Sequence, residues 1–141
     1  MTVEASTDRH QFNWMLDNFV RHTDGVRDAV AVSSDGLLIA CSQGLNRADA
    51  DHLAAIVSSM VSLSRSAARK HDFEALKLIM IEMKRGFLLV SAISGGSCLG
   101  TLAEADSDLG LVGYEISLLA DRFGTLLTPA LIAESRRRLP R

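Results

Sequence analysis

The chain has 141 residues, 48% hydrophobic but only 5% aromatic, with 23% charged and a formal net charge of -2. That suits one core of ordinary size and excludes two. A nearly neutral, aromatic-poor chain has neither the field nor the stacking platform of a nucleic-acid binder. The uncharged stretch of residues 52–64 is shorter than the roughly 20 apolar residues of a bilayer span. Residues 1–10 are polar and carry Glu4 and Asp8, unlike a secretory or transit signal, so a cytoplasmic protein is expected. Cys41 and Cys98 sit in apolar runs without CxxC or Cys/His spacing, and are expected to pack as small hydrophobes.

In chain order, residues 1–10 are read as a flexible N-terminus, and residues 11–127 as the folded domain. Phe12, Met15, Leu16, Phe19 and Val20 form one helical stripe, ended by Asp24-Gly25. Residues 26–33 and 37–42 are aliphatic runs joined by Ser34-Asp35-Gly36, which reads as a hairpin. Asn46 is placed to cap the longest helix, with Asp49 three residues on, and the helical pattern runs to about Arg69. Residues 76–83, 87–93 and 98–103 follow as a meander, turning at Lys84-Arg85-Gly86 and Ser94-Gly95-Gly96-Ser97. Ser107 is expected to cap a helix over residues 108–127, in which Gly110 and Gly113 suggest close packing on the first helix near Trp14. Thr128-Pro129 then starts a short helix within residues 128–141, which end in the basic tail Arg136-Arg137-Arg138-Leu139-Pro140-Arg141. That tail reads as a solvated end, or as a peripheral contact with anionic lipid.

The order α-β-β-α-β-β-β-α, with tight loops inside each strand group, predicts an α/β (α+β) domain with a five-stranded antiparallel sheet. Residues 76–81 and 87–90 are apolar at both parities, so both sheet faces need cover. The expected result is a three-layer α/β/α sandwich, profilin-like in outline.

The long helix carries the functional signal. Leu53, Ile56, Val57, Met60, Ala67 and Ala68 form a stripe expected to face the sheet. Ala55, Ser58, Ser59, Ser62 and Ser66 form the back, where Glu, Lys and Gln would normally keep a helix soluble. Small residues there let a second helix approach closely. Strand 76–83 opens the second strand group and is placed at a sheet edge, where a long aliphatic strand needs a partner. A homodimer is therefore expected, with Ala55, Ser58, Ser59, Ser62, Ser66, Leu76, Leu78 and Met80 at its interface. Arg47, Asp51, Arg65 and Arg69 are the expected contacts to another protein, the last two on the outer side of the helix's C-terminal turns, with Arg85 as a further rim position.

The hairpin Val30-Ala31-Val32-Ser33-Ser34-Asp35-Gly36-Leu37-Leu38-Ile39-Ala40, the small-residue helix and the Gly-rich turn before Cys98-Leu99-Gly100 resemble the roadblock (dynein light chain) family over about residues 11–127. The sequence looks closest to the roadblock proteins of actinobacterial conservon operons, encoded beside a sensor kinase-like protein and a Ras-like GTPase. What the resemblance implies is dimerisation through the long helix and the strand after it, and a signalling scaffold for a small Ras-like GTPase. Recruitment to a membrane would then run through partners. The family works through surfaces, so no catalytic residue is carried over.

The residues agree on chemistry. There is no GxxxxGK[ST], and Ser94-Gly95-Gly96-Ser97 leads into a strand where a phosphate loop leads into a helix. Histidines 10, 22, 52 and 71 lack metal-site spacing. Nothing in the sequence pairs Cys41 or Cys98 with His52 or His71. No catalytic residue, cofactor or metal is expected. The competing reading is a PAS- or profilin-like sensory module that holds a small ligand between helix and sheet.

Overall fold

Strands that are apolar at both parities demand cover on both faces, and the fold supplies it. The computed structural model describes the backbone of residues 2–127 and the side chains from residue 10. The short helix and basic tail expected over residues 128–141 lie outside the described residues. The elements are α1 (Thr2–His22), β1 (Val26–Val32), β2 (Leu38–Cys41), α2 (Arg47–Lys70), β3 (Leu78–Met83), β4 (Gly86–Ala92), β5 (Cys98–Glu104) and α3 (Leu109–Leu126). They form one five-stranded sheet in the order β2-β1-β5-β4-β3, antiparallel at every pairing. The expected mixed α/β sandwich is the observed one.

One layer packs Phe12, Met15, Leu16 and Phe19 of α1 and Val112, Ile116, Leu119 and Phe123 of α3 against Ala29, Ala31, Leu89 and Leu99. Phe12 stacks on Phe123 with ring centroids 4.9 Å apart. The other layer packs Ala50, Leu53, Ala54, Val57 and Val61 of α2 against Val30, Val32, Leu88, Val90 and Cys98. Successive residues of β1 and β4 thus serve opposite cores, and each fully buried aliphatic contributes roughly 1.5–3 kcal/mol. Gly100 lets α2 come close to the sheet, because a Cβ there would meet Val57 Cγ2 at 2.7 Å.

Local chemistry sets most boundaries. Asn46 caps α2, its side chain accepting from the Asp49 amide at 2.8 Å. The β1–β2 turn closes through Gly36 N to Ser33 O at 3.0 Å, with Gly36 at φ 85, a region that favours glycine. Three expectations shift. The first helix begins at Thr2 and not at residue 11, so the stretch read as a flexible N-terminus is helical from its second residue. It contains neither Gly nor Pro, and a polar stretch without a breaker extends a helix already anchored by its apolar end. Asp108, not Ser107, caps α3, its carboxylate accepting from the Leu111 amide at 3.2 Å. The Ser107 hydroxyl instead donates to Glu104 O, which closes the preceding turn. Finally, Gly110 and Gly113 do not meet Trp14, whose side chain is exposed, because α3 packs on α1 through Phe123.

Candidate functional site

The largest departure from the expected pattern is the rotation of α2. Its buried stripe is Ala50, Leu53, Ala54, Val57 and Val61. Leu53 and Val57 face the sheet as expected, but Ile56 is 37% exposed, Met60 is half-buried and Ala67 is exposed. The stripe sits nearly two thirds of a residue step round from the expected one, because Ala50, Ala54 and Val61 are small enough to lie against the sheet. The back of the helix is correspondingly more apolar than the sequence suggested. It carries Ala55, Ile56, Ser59, Ser62 and Ser66, with Leu63 68% exposed.

Rotation also moves two expected residues. Ser58 turns toward the β1–β2 hairpin, where its Oγ would lie 2.7 Å from a Cβ built on Gly36. Arg65 is half-buried and reaches across to the β4–β5 turn, not outward. Its Nη2 donates to Gly96 O at 3.0 Å and lies 4.0 Å from Cys98 Sγ. Burial pushes the Cys98 thiol above its ordinary value, and the neighbouring guanidinium pulls it partly back. With Arg69, these residues border a cleft of about 250 Å³ between α2 and the two turns.

The edge strand β3 is where the sequence placed it, last in the sheet. Ile79, Ile81 and the preceding Leu76 pack toward α2, whereas Leu78 and Met80 point to the α3 side and are 52% and 51% exposed. There they border a groove of about 460 Å³ with Leu89, Ile116 and Ala120. Leu78 and Met80, two residues apart in β3, share one face of the sheet as strand alternation requires, whereas Leu76 precedes the strand and packs against the α2 core while also bordering the groove. Arg47 and Asp51, both expected partner contacts, hold each other on the exposed first turns of α2, Arg47 Nε donating to the carboxylate at 3.0 and 3.1 Å. Such an exposed pair contributes little to stability.

Two exposed residues beside this surface were not anticipated. Leu63 falls on the back of α2 only once Ala50 is counted in the buried stripe. Phe73 is 76% exposed in the α2–β3 connection, between Asp72 and Glu74, which both adopt positive φ (56 and 70). A large ring isolated in a charged loop was the available signal. Among the described residues, no helix is long and apolar enough to cross a membrane, and no group of three His, Cys, Asp or Glu could hold a metal ion.

A 2-1-5-4-3 antiparallel sheet between one long helix and a helix pair, with small and apolar side chains on the back of the long helix and one sheet edge left open, defines a roadblock- and profilin-like α/β/α domain. Residues 12–103 match the Roadblock/LC7 domain, and the chain belongs to that family. It is similar to a Roadblock/LC7 domain from Streptomyces avermitilis, with 33% identity and TM-score 0.75 over 79% of this chain and 92% of that one. An uncharacterized protein of Methanocaldococcus jannaschii is 32% identical over 104 residues, 73% of this chain and 86% of its own. MglB of Myxococcus xanthus shares the fold at 18% identity and TM-score 0.75, covering 85% of this chain and 92% of its own.

Proposed function

We propose that the protein is a homodimeric regulator or scaffold of a small Ras-like GTPase, assembled through the back of α2 and the edge of β3. The observation that carries the reading is the open, aliphatic β3 edge in a sheet whose covering helix α2 exposes Ile56 and Leu63. A strand of this kind is a template for pairing, and a two-fold axis through it would set two α2 helices side by side. Ala55, Ser59, Ser62 and Ser66 are small enough for that approach, and Leu76, Leu78 and Met80 flank the pairing edge. Membership of the roadblock family supports the assignment to GTPase signalling. The paired helices would form the platform, with Arg47, Asp51 and Arg69 at its rim. A sensor kinase-like protein, which the resemblance to the conservon-operon roadblock proteins implies, fits as a further partner, in the cytoplasm or at a membrane reached through partners.

Sedimentation equilibrium at micromolar concentration should return the mass of two chains; one chain would overturn the dimer. Pull-down from extract should retain a Ras-like GTPase whose GTP turnover or exchange changes when this protein is added. Capture with both rates unchanged would limit the role to scaffolding, and failure to capture a GTPase would overturn the assignment.

A further inference from the structure

The cleft at the C-terminal half of α2 shares Ser62 with the proposed pairing surface, but its chemistry differs from the apolar surfaces around it. Val32, Val57 and Val61 line it from below, whereas its walls are hydroxyls and guanidinium groups. Serines within a helix commonly satisfy themselves on the carbonyl one turn back, as Ser59 does by donating to Ala55 O at 2.9 Å. Ser58 and Ser62, which border the cleft, make no such bond among the described residues. Ser34 presents a third uncommitted hydroxyl from the β1–β2 turn.

The charges point the same way. Arg65 is anchored by one Nη2 bond to Gly96 O, which holds its guanidinium at the cleft with further N–H donors to spare. Arg69, one turn on, borders the same space and has no carboxylate partner among the described residues. The single acid in the wall is Asp35, whose carboxylate accepts from Ser33 Oγ at 2.6 Å. Two cations thus face one anion, over an apolar floor that weakens screening by water. At about 250 Å³ the space is below the roughly 300–1,000 Å³ of a drug- or cofactor-sized site. It suits the head of a small anion. Donors that converge from a helix and from the turn opposite match a tetrahedral group with three or four acceptor oxygens better than a planar carboxylate.

We infer that this cleft binds a phosphoryl dianion, as inorganic phosphate or as a small phosphate monoester. Arg65 and Arg69 grip the charge, and the hydroxyls of Ser34, Ser58 and Ser62 donate to the remaining oxygens. The inference is independent of the GTPase reading. Occupancy would tie the C-terminal half of α2 to the β1–β2 turn, so a small-molecule signal could reach the helix proposed to pair two copies.

The test is titration of the full chain with inorganic phosphate and with glycerol phosphate at constant ionic strength, read by amide chemical shifts, with acetate as the planar control. Saturable shifts at the β1–β2 turn and around Arg65 are expected with both phosphates and not with acetate. Equal affinity for the two assigns recognition to the phosphoryl head; tighter binding of the ester adds contact with the valine floor. Arg69→Gln should weaken binding about ten-fold, the scale of one charge-assisted contact. Asp35→Asn keeps an acceptor for Ser33 and should tighten binding, a sign opposite to that of general damage. Absence of saturation, equal shifts with acetate, or unchanged affinity in Arg69→Gln would overturn the proposal.

Discussion

The sheet has two edges, and they are finished differently. At β2 the strand is four residues long and largely buried. Its flank is occupied by α1, where Asn13 Oδ1 accepts from the Cys41 amide at 3.1 Å and Asp17 accepts from the Gln43 amide. At β3 the strand is six residues long, every one half-buried or exposed, and no helix side chain is seen bonding to its outer backbone among the described residues. One edge is capped within the chain and the other is left for something else. An edge strand invites unwanted pairing unless it is short, charged or covered, so the contrast marks β3 as the edge kept for a partner.

The largest expected effect comes from blocking that edge. Lys77 O accepts from Ala92 N at 3.0 Å, so by alternation the backbone groups of Ile79 and Ile81 face β4, and those of Leu78, Met80 and Glu82 face outward. Met80→Pro therefore removes an outward N–H without breaking the β3–β4 ladder, as proline on an edge strand permits. The sedimentation mass should fall from two chains to one with the circular dichroism of the fold retained; a two-chain mass would place the contact elsewhere. At the other edge, Asn13→Ala removes an acceptor for the Cys41 amide. It should cost about 1 kcal/mol in urea unfolding and leave the two-chain mass unchanged. If it changed the mass instead, the division of labour between the edges would be wrong.

The smallest effect belongs to Cys98, in the central strand β5 and remote from both edges. Burial holds its folded thiol above the ordinary value of 9.0. Below that pH the thiol is neutral in both folded and unfolded chains and contributes no pH dependence. As pH rises past it, the unfolded chain loses the proton first, so stability falls. Between pH 8 and 10 the urea midpoint of the wild type should drop more than that of Cys98→Ala. Equal drops would mean that the thiol ionises alike in both states.

How much could be read in advance differed by element. The two hairpins, the Asn46 cap and the edge position of β3 were legible, because turn residues, capping side chains and chain order act locally or through simple topology. The start of α1 was not, since a polar helical stretch shows no apolar period. The α3 cap fell one residue from the expected Ser107 because adjacent Ser107 and Asp108 are both able caps, and the turn hydrogen bond to Glu104 O engages the serine. The candidate surface was half legible. Ala55, Ser59, Ser62 and Ser66 were found from the missing charges on α2, whereas Ile56 and Leu63 were hidden behind a misplaced stripe.

Composition and pattern alone determined that this chain folds as one aliphatic α/β/α sandwich with strands buried on both faces and a long helix whose back is uncharged. Tertiary structure decided the rotation of α2, and with it which side chains face outward. A 24-residue helix with apolar or small residues nearly all round offers several stripes of similar hydrophobicity. Only the shape of the facing sheet, with Gly100 admitting Val57, selects among them. The same rotation turned Ser58 and Arg65 away from the helix back and assembled, with the β1–β2 and β4–β5 turns, a cleft whose parts, from Val32 to Cys98, lie far apart in the chain and share no local pattern.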